Sequence, residues 1–107
     1  MQYRLFIESQ LFSKLIGRYL QDDEYAELQR FLINRPRAGP IIPRSGGVRK
    51  LRWRAQGTGK RGGIRLIYYL HEGHSFWMLT VYRKGEADAI PGHLLRKIKE
   101  AMTHGNA

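Results

Sequence analysis

A chain of 107 residues has room for one domain and not for two. Its 42% hydrophobic content supports one modest core and excludes a disordered chain, while the absence of cysteine excludes disulfides, thiolate metal sites and a cysteine nucleophile. Nineteen Lys and Arg against nine Asp and Glu leave a formal charge of +10, which calls for an anionic partner. No apolar stretch approaches the ~20 residues of a membrane-spanning helix, and MQYRLFIESQ does not open as a secretory signal does. The expectation is one soluble, cytoplasmic domain over residues 1–107 that makes no membrane contact.

Residues 2–8 are short and β-prone, with Tyr3, Leu5 and Ile7 on one face. From Leu11 the spacing becomes helical, and Leu11, Leu15, Ile16 and Tyr19 form one stripe. Asp22 reads as the N-cap of a second helix, with Asp23 and Glu24 suited to the positive end of its dipole. Tyr25, Leu28, Phe31 and Leu32 make the inner side of that helix, and Arg35-Pro36 ends it. The stretch PRAGPIIPRSGG, with three prolines and three glycines, is a loop.

Three strands follow. In VRKLRWRA, Leu51 and Trp53 alternate with Lys50, Arg52 and Arg54, so a period of two puts three cations on one face. In IRLIYYLH, Ile64, Leu66, Tyr68 and Leu70 oppose Arg65, Ile67 and Tyr69; in SFWMLTVYRK, Trp77, Leu79 and Val81 oppose Phe76, Met78, Thr80 and Tyr82. Turns at QGTGKRGG and HEGH join them as an antiparallel meander. Pro91 opens a last helix with Leu94, Leu95, Ile98 and Met102 as its stripe. The order β-α-α-β-β-β-α makes this an α+β fold.

Charge is distributed unevenly. Between Glu27 and Glu72 there is no acidic residue, yet the interval holds eleven cations, from Arg30 to Arg65. A block of one sign repels itself unless a polyanion neutralises it, and nucleic acid is the natural candidate. If Arg65 faces the same way as Lys50, Arg52 and Arg54, these residues form a platform. Tyr82 and Lys84 share parity at the end of the last strand and close it.

Other chemistries find little support. GTGKRGGIRLIYYL at residues 57–70 suggests a phosphate loop, but Arg61 follows Gly59-Lys60 where Ser or Thr is needed, and Arg54 stands at the first glycine position. His71 and His74 flank the glycine of a turn, and His93 and His104 stand apart, so no metal site is expected; His93, at a helix start near a basic region, is a candidate for moving a proton. Ser45 lies in the turn RSGG, not in a nucleophile elbow.

The segments GGVRKLRW, GTGKRGG, IRLIYYL and LTVYRKGEAD, in that order, resemble the RelE/HigB branch of bacterial toxin–antitoxin toxins. The resemblance runs from residue 1 to about residue 103 and is most specific between Gly46 and Asp88. It implies a small twisted antiparallel sheet packed against two N-terminal helices and a C-terminal helix. It also implies a ribosome-dependent mRNA endoribonuclease that cuts in the A site without metal or other cofactor. The implied partners are the ribosome, mRNA and a helix-turn-helix, HigA-like antitoxin. By the same resemblance Lys50, Arg52, Arg65, Tyr82 and Lys84 are the catalytic set, with Arg49, Arg54, Lys60 and Arg61 as RNA or ribosome contacts.

Within that set Lys50 and Arg52 take base and positioning roles, Arg65 stabilises the transition state, Lys84 stabilises the leaving group, and Tyr82 could stack on a base. Some relatives carry a tyrosine after the last strand where this chain has Ile90, and others a C-terminal histidine, so either Tyr82 substitutes or no aromatic acid–base group is used. A ParE-like gyrase inhibitor of the same fold and a non-catalytic nucleic-acid-binding module are the alternatives; neither needs these four cations as a set.

Overall fold

A computed structural model of the chain describes residues 5–54, 63–86 and 90–103. The described residues begin with strand β1 (Leu5–Glu8), then helix α1 (Gln10–Leu15), which runs on into a 3-10 turn over Ile16–Arg18. Ser9 makes the turn from strand to helix. Its hydroxyl accepts the Phe12 N–H at 2.9 Å, capping α1, and donates to the Leu79 carbonyl at 2.7 Å, tying the helix to the sheet. Helix α2 (Asp22–Asn34) follows; its N-cap is Gln21, whose N–H donates to the Glu24 carboxylate at 3.0 Å, so Asp22 is its first residue and not its cap. Arg35 ends it, as the following proline requires.

Strands β2 (Arg49–Trp53), β3 (Ile64–His71) and β4 (Ser75–Arg83) pair as the expected antiparallel meander, and α3 (Gly92–Thr103) closes the described chain. The β3–β4 turn has positive φ at Glu72 (53°) and Gly73 (76°), the backbone twist that two-residue hairpins use. The sheet order is β1-β4-β3-β2. Here one expectation is corrected: the sheet is mixed, because β1 joins β4 in parallel. β1 and β2 lie at opposite edges and are linked by the helices, and a crossover of that length returns the chain running in its starting direction.

The helices lie on opposite faces. One face of the sheet packs Leu51, Ile64, Leu66, Tyr68, Phe76, Met78 and Val81 against Phe12, Leu20, Leu28 and Leu32 of the α1–α2 region. The other packs Val48, Ile67, Trp77, Leu79 and Tyr82 against Leu95, with Ile98 and Met102 alongside. Full burial of a side chain such as Phe12 contributes roughly 1.5–3 kcal/mol.

Four sequence expectations fail here for physical reasons. Phe6, not Leu5 or Ile7, turns inward from β1, stacked on Phe76 at 4.7 Å. Leu5 and Ile7 stay exposed because β1 is an edge strand with one covered face. In α1 the buried residue is Phe12 while Leu11 is exposed, because Phe12 is the residue spaced i, i+3, i+4 and i+7 with Leu15, Ile16 and Tyr19, which do pack on the core. In β4 a bulge shifts the pairing: Ile67 faces Thr80 but Tyr68 faces Met78, leaving Leu79 as an extra residue. The extra residue reverses alternation, so Trp77 and Leu79 share a face with Tyr82, and Val81 shares one with Met78. In α3, Leu94 is exposed and only Leu95, Ile98 and Met102 face the sheet.

Among the described residues no helix is long and apolar enough to cross a membrane.

Candidate functional site

The cations of β2 and β3 meet by register. Arg52 is the cross-strand partner of Arg65, and Arg65 is the partner of Tyr82, so the three form one row across β2, β3 and β4. Directly opposed residues project to the same face with Cβ atoms about 4.5–5.5 Å apart. Lys50 lies two positions along β2 from Arg52, paired with Ile67, and so shares that face. This is the α3 side of the sheet, and α3 covers only part of it: Ile67 and Tyr82 are buried there, whereas Arg52 is exposed and Lys50 and Arg65 are half-buried.

Two like charges set directly opposite each other destabilise a sheet. Lys50, Arg52, Arg65 and Lys84 form no ion pair with any carboxylate among the described residues, so nothing described neutralises the row. Tyr82 differs from its neighbours. Only 9% of it is exposed, because its ring packs into the α3-side core and leaves little surface for a base to stack on. Burial pushes the Tyr82 phenol above its ordinary pKa, while the Arg65 charge pulls the other way. The result is a neutral phenol that can donate a proton, held next to a guanidinium.

Lys84 stands just beyond β4, where its N–H continues the ladder by donating to the Gly63 carbonyl at 3.4 Å. Gly63 is required here. Its φ is +93°, and a Cβ would come within 2.2 Å of the Trp53 carbonyl oxygen, so only glycine lets β3 enter beside the end of β2. The turn that carries Lys84 is fastened from the other side. Glu86 accepts the Arg83 N–H and the Tyr19 hydroxyl, both at 2.7 Å, and the Arg83 guanidinium lies over the Tyr19 ring at 5.7 Å. The Tyr19 hydrogen bond is the main reason the Glu86 carboxyl titrates below its ordinary range.

Sequence reasoning missed Tyr19 and Glu86. The available signal was that Glu86 is the first acid after the last basic strand; nothing in the spacing could link it to Tyr19, which is 67 residues away.

Other anticipated residues separate. Arg49 pairs with Tyr68 and therefore lies on the opposite face from Lys50 and Arg52. Its guanidinium donates to the Gly39 carbonyl at 2.9 Å and the Arg37 carbonyl at 3.3 Å, so it braces the loop before β2. Arg54 is exposed just past β2. Lys60 and Arg61, with most of the QGTGKRGG turn, lie outside the described residues. His71 stacks on Trp77 at 4.5 Å, and His93 is exposed at the start of α3. Ile90 packs against the α3-side core.

No protein-family model matches the chain. Among solved structures it is similar to the E. coli toxin RelE, determined in the free state as a double arginine-to-alanine mutant. The match has a TM-score of 0.55 over 98% of each chain, at 14% sequence identity. The fold is RelE-like. At that identity the likeness concerns the backbone: a RelE-like sheet carries the Arg52–Arg65–Tyr82 row, and the chemistry of the row rests on these side chains alone.

Proposed function

We propose that the chain is a toxin of the RelE/HigB type, a ribosome-dependent endoribonuclease that cleaves mRNA in the A site and halts translation. The observation that carries this reading is the row in which Arg52 faces Arg65 and Arg65 faces Tyr82, with Lys50 beside it and Lys84 just beyond β4. Strands β2 and β3 hold mutually repelling cations in fixed register, and an RNA phosphate relieves that repulsion. A RelE-like fold supports the class, and the class brings with it an antitoxin partner, which in this reading is of the helix-turn-helix, HigA-like kind.

The chemistry follows from what RNA supplies. The 2′-oxygen attacks the adjacent phosphorus, a new P–O2′ bond forms, and the P–O5′ bond breaks. The products are a 2′,3′-cyclic phosphate and a free 5′-hydroxyl. One proton leaves the 2′-hydroxyl and one arrives at the 5′-oxygen. In this reading Lys50 takes the base and positioning role at the 2′-hydroxyl. Arg52 and Arg65 bind the phosphoryl oxygens through charge-assisted, bidentate-capable hydrogen bonds, most strongly as negative charge develops. Lys84 stabilises the departing 5′-oxygen, and in this reading Tyr82, kept neutral by burial, is the candidate proton donor to it. A divalent cation gains nothing from a surface this positive, so the guanidinium groups take the part of charge stabiliser.

The test is induced expression with transcriptome-wide mapping of mRNA 5′ ends. Cuts in phase with the ribosomal A site, lost together with growth arrest in the Arg65→Ala/Lys84→Ala double variant, are the expected result. Growth arrest that survives that double substitution, or DNA damage without mRNA cuts, would refute the proposal.

A further inference from the structure

A groove runs along the outer edge of β2, beside the row. Ala38, Pro40, Ile41 and Pro43, with Lys50 and Arg52 of β2, are among the residues that line a cavity of ≈ 580 Å³ there. That volume lies within the range of about 300–1,000 Å³ typical of small-ligand sites.

The apolar lining is held rigidly. The Lys50 N–H donates to the Pro40 carbonyl at 3.0 Å and the Ile42 N–H to the Val48 carbonyl at 2.8 Å, so residues 40–42 lie along β2 as a short added strand. The buried Tyr68 hydroxyl donates to the Pro36 carbonyl at 2.8 Å and accepts the Gly39 N–H at 3.1 Å. The Ser45 hydroxyl, fully buried, donates to the Ile42 carbonyl at 2.6 Å. Gly39 sits so close to β2 that a Cβ would lie 3.0 Å from the Lys50 carbonyl carbon and oxygen. A segment secured this thoroughly nonetheless leaves Ile41 55% exposed.

We propose that the groove is a base-binding subsite for a single-stranded RNA. An unpaired base lies against Ile41 and the two prolines, and the phosphates flanking it rest on Lys50 and Arg52. A cavity lined by both apolar side chains and two cations matches a nucleotide, which joins a flat, weakly polar ring to an anionic linker. Arg52 belongs to both the groove and the row, so the base held here is next to the phosphate that the row engages. The apolar lining is already ordered, so little conformational freedom is lost on binding. Its contact is with ring faces rather than hydrogen-bonding edges, so the groove ranks bases by ring area: purine over pyrimidine, with an abasic site weakest.

This inference rests on the RNA reading above, but its test does not depend on cleavage. Two 2′-O-methyl RNA pentamers, which cannot be cut by 2′-oxygen attack, are titrated against the intact protein at low salt. One carries adenine at its centre and the other an abasic site. The wild type binds the adenine pentamer tighter by a factor on the order of ten. Ile41→Ser, at an exposed position that leaves the core untouched, loses this preference. Lys50→Ala keeps the preference and lowers the salt slope by about 0.7, the share of one single-strand phosphate contact. A preference that disappears in Ile41→Ser supports the subsite even if no mRNA is cut on ribosomes, in which case the ribonuclease reading alone fails. Equal or absent binding of the two pentamers by the wild type, or a preference that survives in Ile41→Ser, overturns it even if ribosomal cleavage is found.

Discussion

Replacing Arg65 with methionine should make the protein more stable and catalytically silent. Arg52 and Arg65 are direct cross-strand partners, so their Cβ atoms are about 4.5–5.5 Å apart and opposed like charges cost about 0.2–1 kcal/mol. Arg65 is half-buried, which weakens solvent screening and places the effect near the upper end, at about 1 kcal/mol. Methionine keeps the unbranched stem that packs on the sheet and removes the charge. For a domain of this size about 1 kcal/mol raises Tm by roughly 4–8 °C.

Thermal unfolding in 50 mM and 1 M salt checks the origin of the gain. At 1 M salt the Debye length falls to about 3 Å, so the difference between variant and wild type should shrink, though only in part because Arg65 is half-buried. A double-mutant cycle with Arg52→Met is the stricter measure. Either substitution alone removes the repulsion, so the double variant gains it only once, and the two single gains should fail to add by about 1 kcal/mol. In a ribosome cleavage assay Arg65→Met should lose about 10²–10³ in rate, the usual loss when a transition-state charge partner is removed. A less stable Arg65→Met, a gain insensitive to salt, or additive single gains would each show that the row carries no stored repulsion.

Two other substitutions test the surroundings. Tyr82 is held neutral by burial, so its folded pKa lies above the ordinary 10.0; the associated stability is present below pH 10 and lost as pH rises through the folded value. The wild-type minus Tyr82→Phe ultraviolet titration should show this late ionisation. Arg65→Ala, which removes the charge that opposes burial, should move it later still; an ionisation at or below pH 10 would contradict the placement. Ser9→Ala removes both the cap of α1 and the hydroxyl bond to the Leu79 carbonyl, leaving that buried oxygen without its partner, and should lower unfolding free energy by about 1–3 kcal/mol in denaturant titrations. A change under ~0.5 kcal/mol would show that the bond to Leu79 does not anchor the helix.

Local chemistry made much of the fold readable. Period-two alternation placed β3 at residues 64–71 with its correct faces, helical spacing found the inner side of α2, and Pro36 and Pro91 marked real boundaries. Where reading failed, a nonlocal contact had overruled the local pattern. The bulge at Leu79 reverses alternation in β4, and no spacing rule announces an extra residue in a strand. Phe6 turns inward because Phe76 is there to meet it, and Phe76 comes from the far end of the chain. For the site, alternation alone put Lys50 and Arg52 on one face, while Arg49, expected as an RNA contact, pairs with Tyr68 on the other. It could not say what Arg49 does there, because its carbonyl partners belong to a loop without periodicity.

The amino-acid sequence alone therefore determined the α+β element order, the concentration of positive charge and the face of β2 that bears it, since each depends on residues adjacent in the chain. Tertiary structure decided that Arg52 faces Arg65 and Arg65 faces Tyr82, that β1 runs parallel to β4, and that residues 40–42 line a groove along β2. Register, strand direction and loop docking are settled by which distant surfaces can be buried together. That choice is made only when the whole sheet closes.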